Sequence, residues 1–516
     1  MNGAQSLVHT LIDSEVDVCF TNPGTSEMHF VAALDTVAGM RCVLGLFEGV
    51  ITGAADGYAR MAGKPAATLL HLGPGLGNAL ANVHNARKAR TPMVNIVGEH
   101  ATYHLQYETP LKSDTNMIAR ACSDWVQTSQ SASAVASDAA QAVAQARSGG
   151  QIATLILPAD TAWNESTGPA APVAPPARPV VDADKIKSAA AILLKHGGDS
   201  TLMLTGAPLI EPGLTLAAKI AKKTGCKLLA QQSNARMSRG LGHYDIARVP
   251  YAVPQALAQL ADIKHLVLLG ANPPASFFAY PNQPNMMAPT GCEQFVLAAR
   301  EHDAAATLQA LADELDAHAT DPAIENGPAL EVPPDGQLTA DLVMQTVSAL
   351  IPENGILCDE AVSSGRQLLQ LTGQAKPHDY LQITGGAIGI GSPLATGAAV
   401  ASPGRQVISL QADGSTMYTL QGLWTQAREQ LQVCTIILAN RAYRILQGEL
   451  KRVGVESPGE RAQQMLSLSN PDLDWVSLAK GMGVPACSVD TAQGLATAVS
   501  AALAGEGPNL IEARIP

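Results

Sequence analysis

Six short apolar runs decide what this chain can become: ATLLHL (67–72), QIATLIL (151–157), STLMLTG (200–206), KHLVLLG (264–270), QVISLQ (406–411) and CTIILAN (434–440). Strands built from such runs are buried on both faces, which is the pattern of parallel sheets covered by helices on either side. The residues between the runs carry helical patterns, as the crossovers between parallel strands require. The expected fold class is α/β.

Two proline-rich stretches break this rhythm, GPAAPVAPPARPVVD (168–182) and NGPALEVPPDGQ (326–337). Proline lacks the N–H and restricts its predecessor, so neither stretch can continue a helix or a central strand. Three units follow, 1–167, 183–325 and 338–516, each read as Rossmann-like α/β with a parallel sheet. With 47% hydrophobic and 15% charged residues, the chain can fill several cores.

A net charge of −12 with no basic block argues against nucleic acid or an anionic membrane as partner and leaves small molecules. The opening MNGAQSLVHTLIDSEVDVCF lacks a basic segment followed by an apolar one, and no apolar run reaches the roughly 18–20 residues that span a bilayer. A cytoplasmic location is expected. The eight cysteines are scattered singly, without a C-x-x-C pair, and are expected to be reduced.

The outer units resemble each other. SLVHTLIDSEVDVCFTNPGTSE (6–27) and LVMQTVSALIPENGILCDEAVSSG (342–365) both read helix, strand, polar turn. GAADGYARMAGKPAATLLHLGPG (53–75) and GSPLATGAAVASPGRQVISLQADG (391–414) both read small-residue helix, basic turn, strand, glycine loop. Aligning Gly63-Lys64 with Gly404-Arg405 sets His71, Leu72 and Gly73 opposite Ala412, Asp413 and Gly414. Two copies of one domain have therefore divided a labour, and the acid belongs to only one of them.

Asp413 follows one strand-like run and Asn440 another, and ligands of parallel sheets sit beyond the carboxyl ends of strands. A carboxylate, an amide oxygen and a nearby main-chain carbonyl form an incomplete shell of hard ligands, suited to Mg²⁺ when a phosphorylated ligand supplies the rest. Gly414 and Ser415 leave room for a diphosphate and offer N–H donors at a helix start. The competing reading is that Asp413 caps the helix STMYTLQGLWTQAREQ.

On these residues the chain resembles the thiamine-diphosphate (ThDP) enzymes of the acetolactate synthase, pyruvate oxidase and benzoylformate decarboxylase superfamily. Their metal motif is G-D-G followed, one helix and one strand later, by N-N; here it reads Ala412-Asp413-Gly414 and Ala439-Asn440. Neither alanine removes a ligand, since the resemblance assigns the metal to Asp413, Asn440 and the carbonyl of Ala442. It also implies that the three units are a pyrimidine-binding domain, a central domain and a diphosphate-binding domain. The cofactors implied are ThDP and Mg²⁺, and the short central unit argues against FAD.

Matched to the family, Glu48 in GLFEGVITGAADGYAR is the acid that hydrogen-bonds N1′ of the aminopyrimidine, and it is expected to be buried among Leu46, Phe47 and Val50. The alternative is a helix-start glutamate stabilised by the macrodipole. The glycine spacing of ITGGAIGIGSPLATGAA (383–399) is a weak match to a dinucleotide fingerprint without a ribose-binding acid, so NAD is rejected. In the family reading Gly386 offers its carbonyl to the 4′-amino group and Ile388 is the apolar wedge against the two rings. Glu360, Ser363 and Tyr443 are also assigned to the cofactor's surroundings. The resemblance further implies a homodimer, paired into a homotetramer, with active sites at the subunit interface.

The substrate class implied is a 2-oxo acid, whose enamine intermediate after loss of CO₂ is either protonated to an aldehyde or ligated to a second carbonyl. His71 and Thr25 stand where benzoylformate decarboxylase has a histidine and a serine, which favours protonation. QYETPLKSD (106–114) is similar to the synthases' Q-E-T-P segment, with Tyr107 in place of a glutamine, and NRAYRILQGEL has the texture of acetolactate synthase large subunit-like proteins. Carboligation is the leading expectation and non-oxidative decarboxylation the alternative; a catalytically silent ThDP-fold protein and an NAD dehydrogenase are rivals. His71 also reads as an ordinary loop histidine; His100 and His104 read as pocket residues or as loop surface, and Glu449 as facing the pocket from a short helix or as a solvated neighbour of Lys451 and Arg452.

Overall fold

All six apolar runs form strands in parallel pairing. The computed structural model describes residues 1–322, 324 and 327–516. The expected end of the central unit at Glu325 and the start of the second proline-rich stretch at Asn326 lie outside the described residues.

The first sheet contains β1 (Val18–Thr21), β2 (Arg41–Leu44), β3 (Ala66–Leu70), β4 (Met93–Glu99), β5 (Trp125–Thr128) and β6 (Ile152–Pro158), in the order β2-β1-β3-β4-β6-β5. The second is built from β7 (Ser200–Leu204), β8 (Lys227–Ala230), β10 (His265–Leu269) and β11 (Glu293–Ala298), in the order β11-β10-β7-β8. The third takes β12 (Gly355–Glu360), β13 (His378–Gln382), β14 (Val407–Ala412), β15 (Val433–Ala439), β16 (Ala486–Val489) and β17 (Asn509–Arg514).

In the third sheet the order β13-β12-β14-β15-β17-β16 repeats that of the first sheet strand for strand. The internal repeat read from the sequence is thus a repeat of topology. The third sheet differs by one added edge strand, β9 (Arg236–Arg239), which comes from the central unit and pairs antiparallel with β13. The sequence expectation of purely parallel sheets misses it because RMSR has no apolar run. Side-chain charge contributes instead: Arg236 Nε donates to Asp379 Oδ1 at 2.6 Å, and Arg405 donates to the other oxygen at 2.7 Å.

The equivalent helices of the two copies, Glu48–Ala62 and Gly391–Ala401, pack directly on each other. Their backbones touch. A methyl carbon on Gly57 would lie 2.1 Å from the Leu394 carbonyl oxygen, and one on Gly397 would lie 1.8 Å from that of Ala54. Beside this crossing, Arg60 and Asp56 form a fully buried ion pair of 2.6 Å. Arg60 Nη1 reaches the carbonyls of Gln382 (2.7 Å) and Ala235 (3.1 Å), and Nη2 donates to Thr384 Oγ1 (3.1 Å), so one guanidinium ties all three units together.

Gly397→Ala should therefore lower stability by about 1–3 kcal/mol through overpacking. Gly448→Ala, in the helix Arg444–Arg452 with open space around the site, should raise it by up to about 1 kcal/mol by helix propensity. Opposite shifts of the two urea midpoints are the expected result.

Candidate active site

The carboxyl ends of β14 and β15 lie side by side, with Ala412 in register with Leu438, and this brings Asp413 to Asn440. Asp413 is 2% exposed. Its Oδ1 accepts from Gly414 N at 2.8 Å, and its Oδ2 accepts from Arg441 N, across the strand boundary, at 2.6 Å. Asn440 Oδ1 accepts from Ala442 N at 2.9 Å. Arg441 holds this turn in the left-handed region (φ +57°), and its carbonyl accepts from Leu468 N at 2.8 Å.

These bonds remove the capping reading. The N-cap is Ala412, the helix runs only over Asp413–Thr416, and a 3₁₀ turn separates it from Gly422–Arg428, so the long helix expected from the sequence is interrupted. A tertiary bond accompanies the break: Thr419 Oγ1 donates to the Gly389 carbonyl at 2.8 Å. Gly414 lies under the Tyr443 ring, which a methyl carbon would approach to 2.5 Å. Its N–H is engaged by Asp413, and Ser415 Oγ donates to the Ala412 carbonyl at 3.1 Å.

The donor set fits a hard cation. Burial pushes the Asp413 carboxyl up against the pull of the surrounding N–H groups, and no ion pair offsets its charge among the described residues. Nor do three His, Cys, Asp or Glu side chains converge among the described residues, so any metal here would rest on one carboxylate and neutral oxygens.

The glycine loop before the helix Gly391–Ala401 is held from two sides. Asn85 Nδ2 donates to the Ala387 carbonyl at 2.7 Å, and Asn82 Nδ2 to that of Gly389 at 3.3 Å. From below, the buried Glu360 carboxylate accepts from Gly389 N (2.7 Å), Ile390 N (3.2 Å) and Gly391 N (2.7 Å). Both Glu360 oxygens are occupied, so this residue holds the loop. Ser363 is half-buried in the turn after β12, and Ile388 is half-buried in the loop. Gly386 adopts φ +76° with Phe277 of the central unit over it, 2.7 Å from where a Cβ would stand.

A third cluster lies at the carboxyl end of β3. His71 Nδ1 pairs with Glu27 Oε2 at 2.8 Å and faces a cavity of about 350 Å³ together with Thr25, His100, Tyr103, His104 and Trp163. Of the two sequence readings of His100 and His104, pocket and loop surface, the structure has the first: both line this cavity from the segment after β4. Glu48 sits nearby, its Oε2 accepting from Asn78 Nδ2 at 3.0 Å. It is half-buried and Leu46 is 48% exposed, so the expected burial beneath Leu46 is absent within one chain. No hydrogen bond or ion pair joins Glu48 to Asp413 or Asn440 among the described residues. Glu449 accepts from Tyr251 OH of the central unit at 3.3 Å and pairs with Arg452, so it is a contact between units and not a solvated charge.

Glu27 is the residue that no sequence pattern singles out. Its signal lies in NPGTSE beside Thr25, but its partner is 44 residues away.

Two family models match the chain: the thiamine pyrophosphate enzyme N-terminal TPP binding domain over residues 1–119, and the thiamine pyrophosphate enzyme C-terminal TPP binding domain over 361–513. The chain is 51% identical to the "Putative acetolactate synthase large subunit IlvX" of Mycobacterium tuberculosis, covering 100% of this chain and 99% of that protein. It is 29% identical to the benzoylformate decarboxylase of Pseudomonas aeruginosa, covering 96% and 95%. A thiamine diphosphate-dependent 4-hydroxybenzoylformate decarboxylase from Rhodococcus jostii RHA1 shares the fold, with a TM-score of 0.86 at 24% identity and coverage of 100% and 99%.

One consequence of this geometry is a pH dependence of stability. Burial pushes the Glu360 carboxyl from 4.5 up to about 7, against the pull of three N–H donors. Between those values the folded chain binds more protons than the unfolded one, so this contribution is present below about pH 4.5 and is lost as the pH rises through 7. The loss is on the order of 3 kcal/mol. Urea midpoints of wild type and Glu360→Gln compared at pH 5 and pH 8 should show a smaller change with pH in the variant.

Proposed function

Because the chain belongs to the thiamine pyrophosphate-dependent enzymes, we propose that it decarboxylates a small 2-oxo acid and releases the product by protonation as an aldehyde. The observation that carries this reading is the Glu27–His71 pair aimed at a cavity of about 350 Å³. The second reading is carboligation of the acetolactate synthase type, supported by 51% identity to a protein bearing that name.

Thiamine diphosphate, when bound, supplies the electron sink for loss of CO₂. In this proposal Asp413, Asn440 and the Ala442 carbonyl hold Mg²⁺, with Gly414, Ser415 and Tyr443 around the diphosphate. Gly386 and Ile388 receive the aminopyrimidine side, and Glu360 fixes their loop through its three N–H bonds. Ser363 lies at the diphosphate end. Glu48, oriented by Asn78, would hold a proton toward the pyrimidine side of the group. His71 gives a proton to the carbon that lost CO₂, with Thr25 beside it. Units 1–167, 183–325 and 338–516 act as the pyrimidine-binding, central and diphosphate-binding domains.

Glu48 and Asp413 share no contact within one chain, which supports a site completed between two copies, a homodimer that pairs into a homotetramer. Mixing the inactive variants Glu48→Gln and Asp413→Ala under conditions of subunit exchange should then restore up to about a quarter of wild-type activity, from hybrid dimers with one intact site. No recovery would mean that each chain builds its own site.

The chemistry is tested by incubating wild type and His71→Ala, loaded with thiamine diphosphate and Mg²⁺, with pyruvate and with benzoylformate. Aldehyde and ligation product are measured separately. The variant should lose aldehyde formation by about 100-fold or more while retaining ligation. Equal loss of both products would remove His71 from this role.

A further inference from the structure

We infer that Glu27 is a positioning residue that fixes the ring plane and tautomer of His71, and so sets the share of product leaving as aldehyde; the second half of this rests on the role proposed above for His71. Glu27 ends the 3₁₀ turn Thr25–Glu27 and is 2% exposed. Its Oε2 accepts from Gly24 N at 2.7 Å, and its Oε1 accepts from Ser26 Oγ at 2.6 Å. A carboxylate already accepting an N–H and an O–H takes its third bond from a donor as well, so His71 carries its proton on Nδ1 and keeps Nε2 free for the cavity. Ser26 Oγ, 3.2 Å from the same Nδ1, closes the arrangement.

The chain is built to admit this pair. A methyl carbon on Gly98 of β4 would lie 1.6 Å from Glu27 Oε1, and one on Gly24 would lie 2.2 Å from His71 Cγ and Nδ1. Two glycines, on separate elements, thus leave the space that the carboxylate and the ring occupy. The His71 carbonyl accepts from Gly75 N at 2.8 Å, which anchors the backbone beneath the ring. The ion-pair partner of Glu27 among the described residues is His71, so a proton arriving at Nε2 creates a cation beside a buried carboxyl group. The His100 and His104 rings line the same cavity with no carboxylate partner among the described residues; His100 Nε2 faces Thr109 Oγ1 at 3.3 Å.

The test uses this contrast. The protein without added cofactor is treated with diethyl pyrocarbonate at constant pH, and carbethoxylation of each histidine is followed by peptide mass spectrometry. Glu27→Gln, which must turn an N–H₂ toward one of three donors, should slow modification of His71 by about tenfold or more, with His100 and His104 unchanged. Glu27→Asp, which keeps the charge, should recover part of the rate and serves if the glutamine variant does not fold.

In the loaded enzyme with benzoylformate, Glu27→Gln should lower the ratio of aldehyde to ligation product. The same change in the His71→Ala background should leave that ratio where His71→Ala alone puts it. An unchanged His71 modification rate in Glu27→Gln, or an equal effect of Glu27→Gln with and without His71, overturns the inference. A ratio unaffected by His71→Ala, combined with slowed modification in Glu27→Gln, would overturn the proposed role of His71 and leave the positioning by Glu27 standing.

Discussion

The crossing of the helices Glu48–Ala62 and Gly391–Ala401 is the contact on which the rest of the molecule depends. Their backbones approach so closely at Gly57 and Gly397 that no side chain fits between them, which fixes both rotation and separation. Each helix starts at a point of chemical interest: the first opens with Glu48, and the second follows directly from the loop of Gly386 and Ile388. The crossing therefore sets the relation between the two copies of the domain. The buried Arg60–Asp56 pair extends the constraint to the central unit; removing either partner would strand a buried charge at a cost of about 3–5 kcal/mol.

Four buried carboxylates are the other organising element, and each of the four has a different counterpart. Asp56 has a guanidinium, Glu27 an imidazole and Glu360 three backbone N–H groups. Asp413 has backbone N–H donors but no cation among the described residues, and burial pushes its carboxyl up. Desolvation makes each arrangement expensive unless its partner is present. Asp56, Glu27 and Glu360 are thus matched within one chain, and Asp413 keeps a carboxylate whose donor set would suit a hard cation.

The duplication explains why the chemistry is divided. Two sheets of the same strand order present equivalent strand ends, β3 before His71 and Leu72, β14 before Ala412 and Asp413. Where one copy turns an acid toward backbone N–H groups, the other turns a histidine toward an apolar cavity. The turns after β3 and β14 thus carry a histidine in one copy and, one position further along, an acid in the other.

The sequence by itself determined the strands at the six apolar runs, the α/β class, the repeat and the position of Asp413 and Asn440 after two strands. All of these rest on local signals: unbroken apolar runs, proline breaks and small residues at strand ends. Tertiary structure alone decided the rest. The antiparallel strand β9 owes its place to Arg236 meeting Asp379, 143 residues away. Glu360 reads as a cofactor neighbour, yet it spends both oxygens on a loop some 30 residues on. Glu27 acquires a meaning only when β1 and β3 pair and bring the residues after them within 2.8 Å of each other. For His100 and His104 the sequence left pocket and surface both open, and only the placement of the segment after β4 decides for the cavity. Hydrogen bonds and ion pairs between distant segments leave no pattern in the chain, because either partner alone is an ordinary polar residue; apolar burial does leave one, because it must repeat along every strand that it builds.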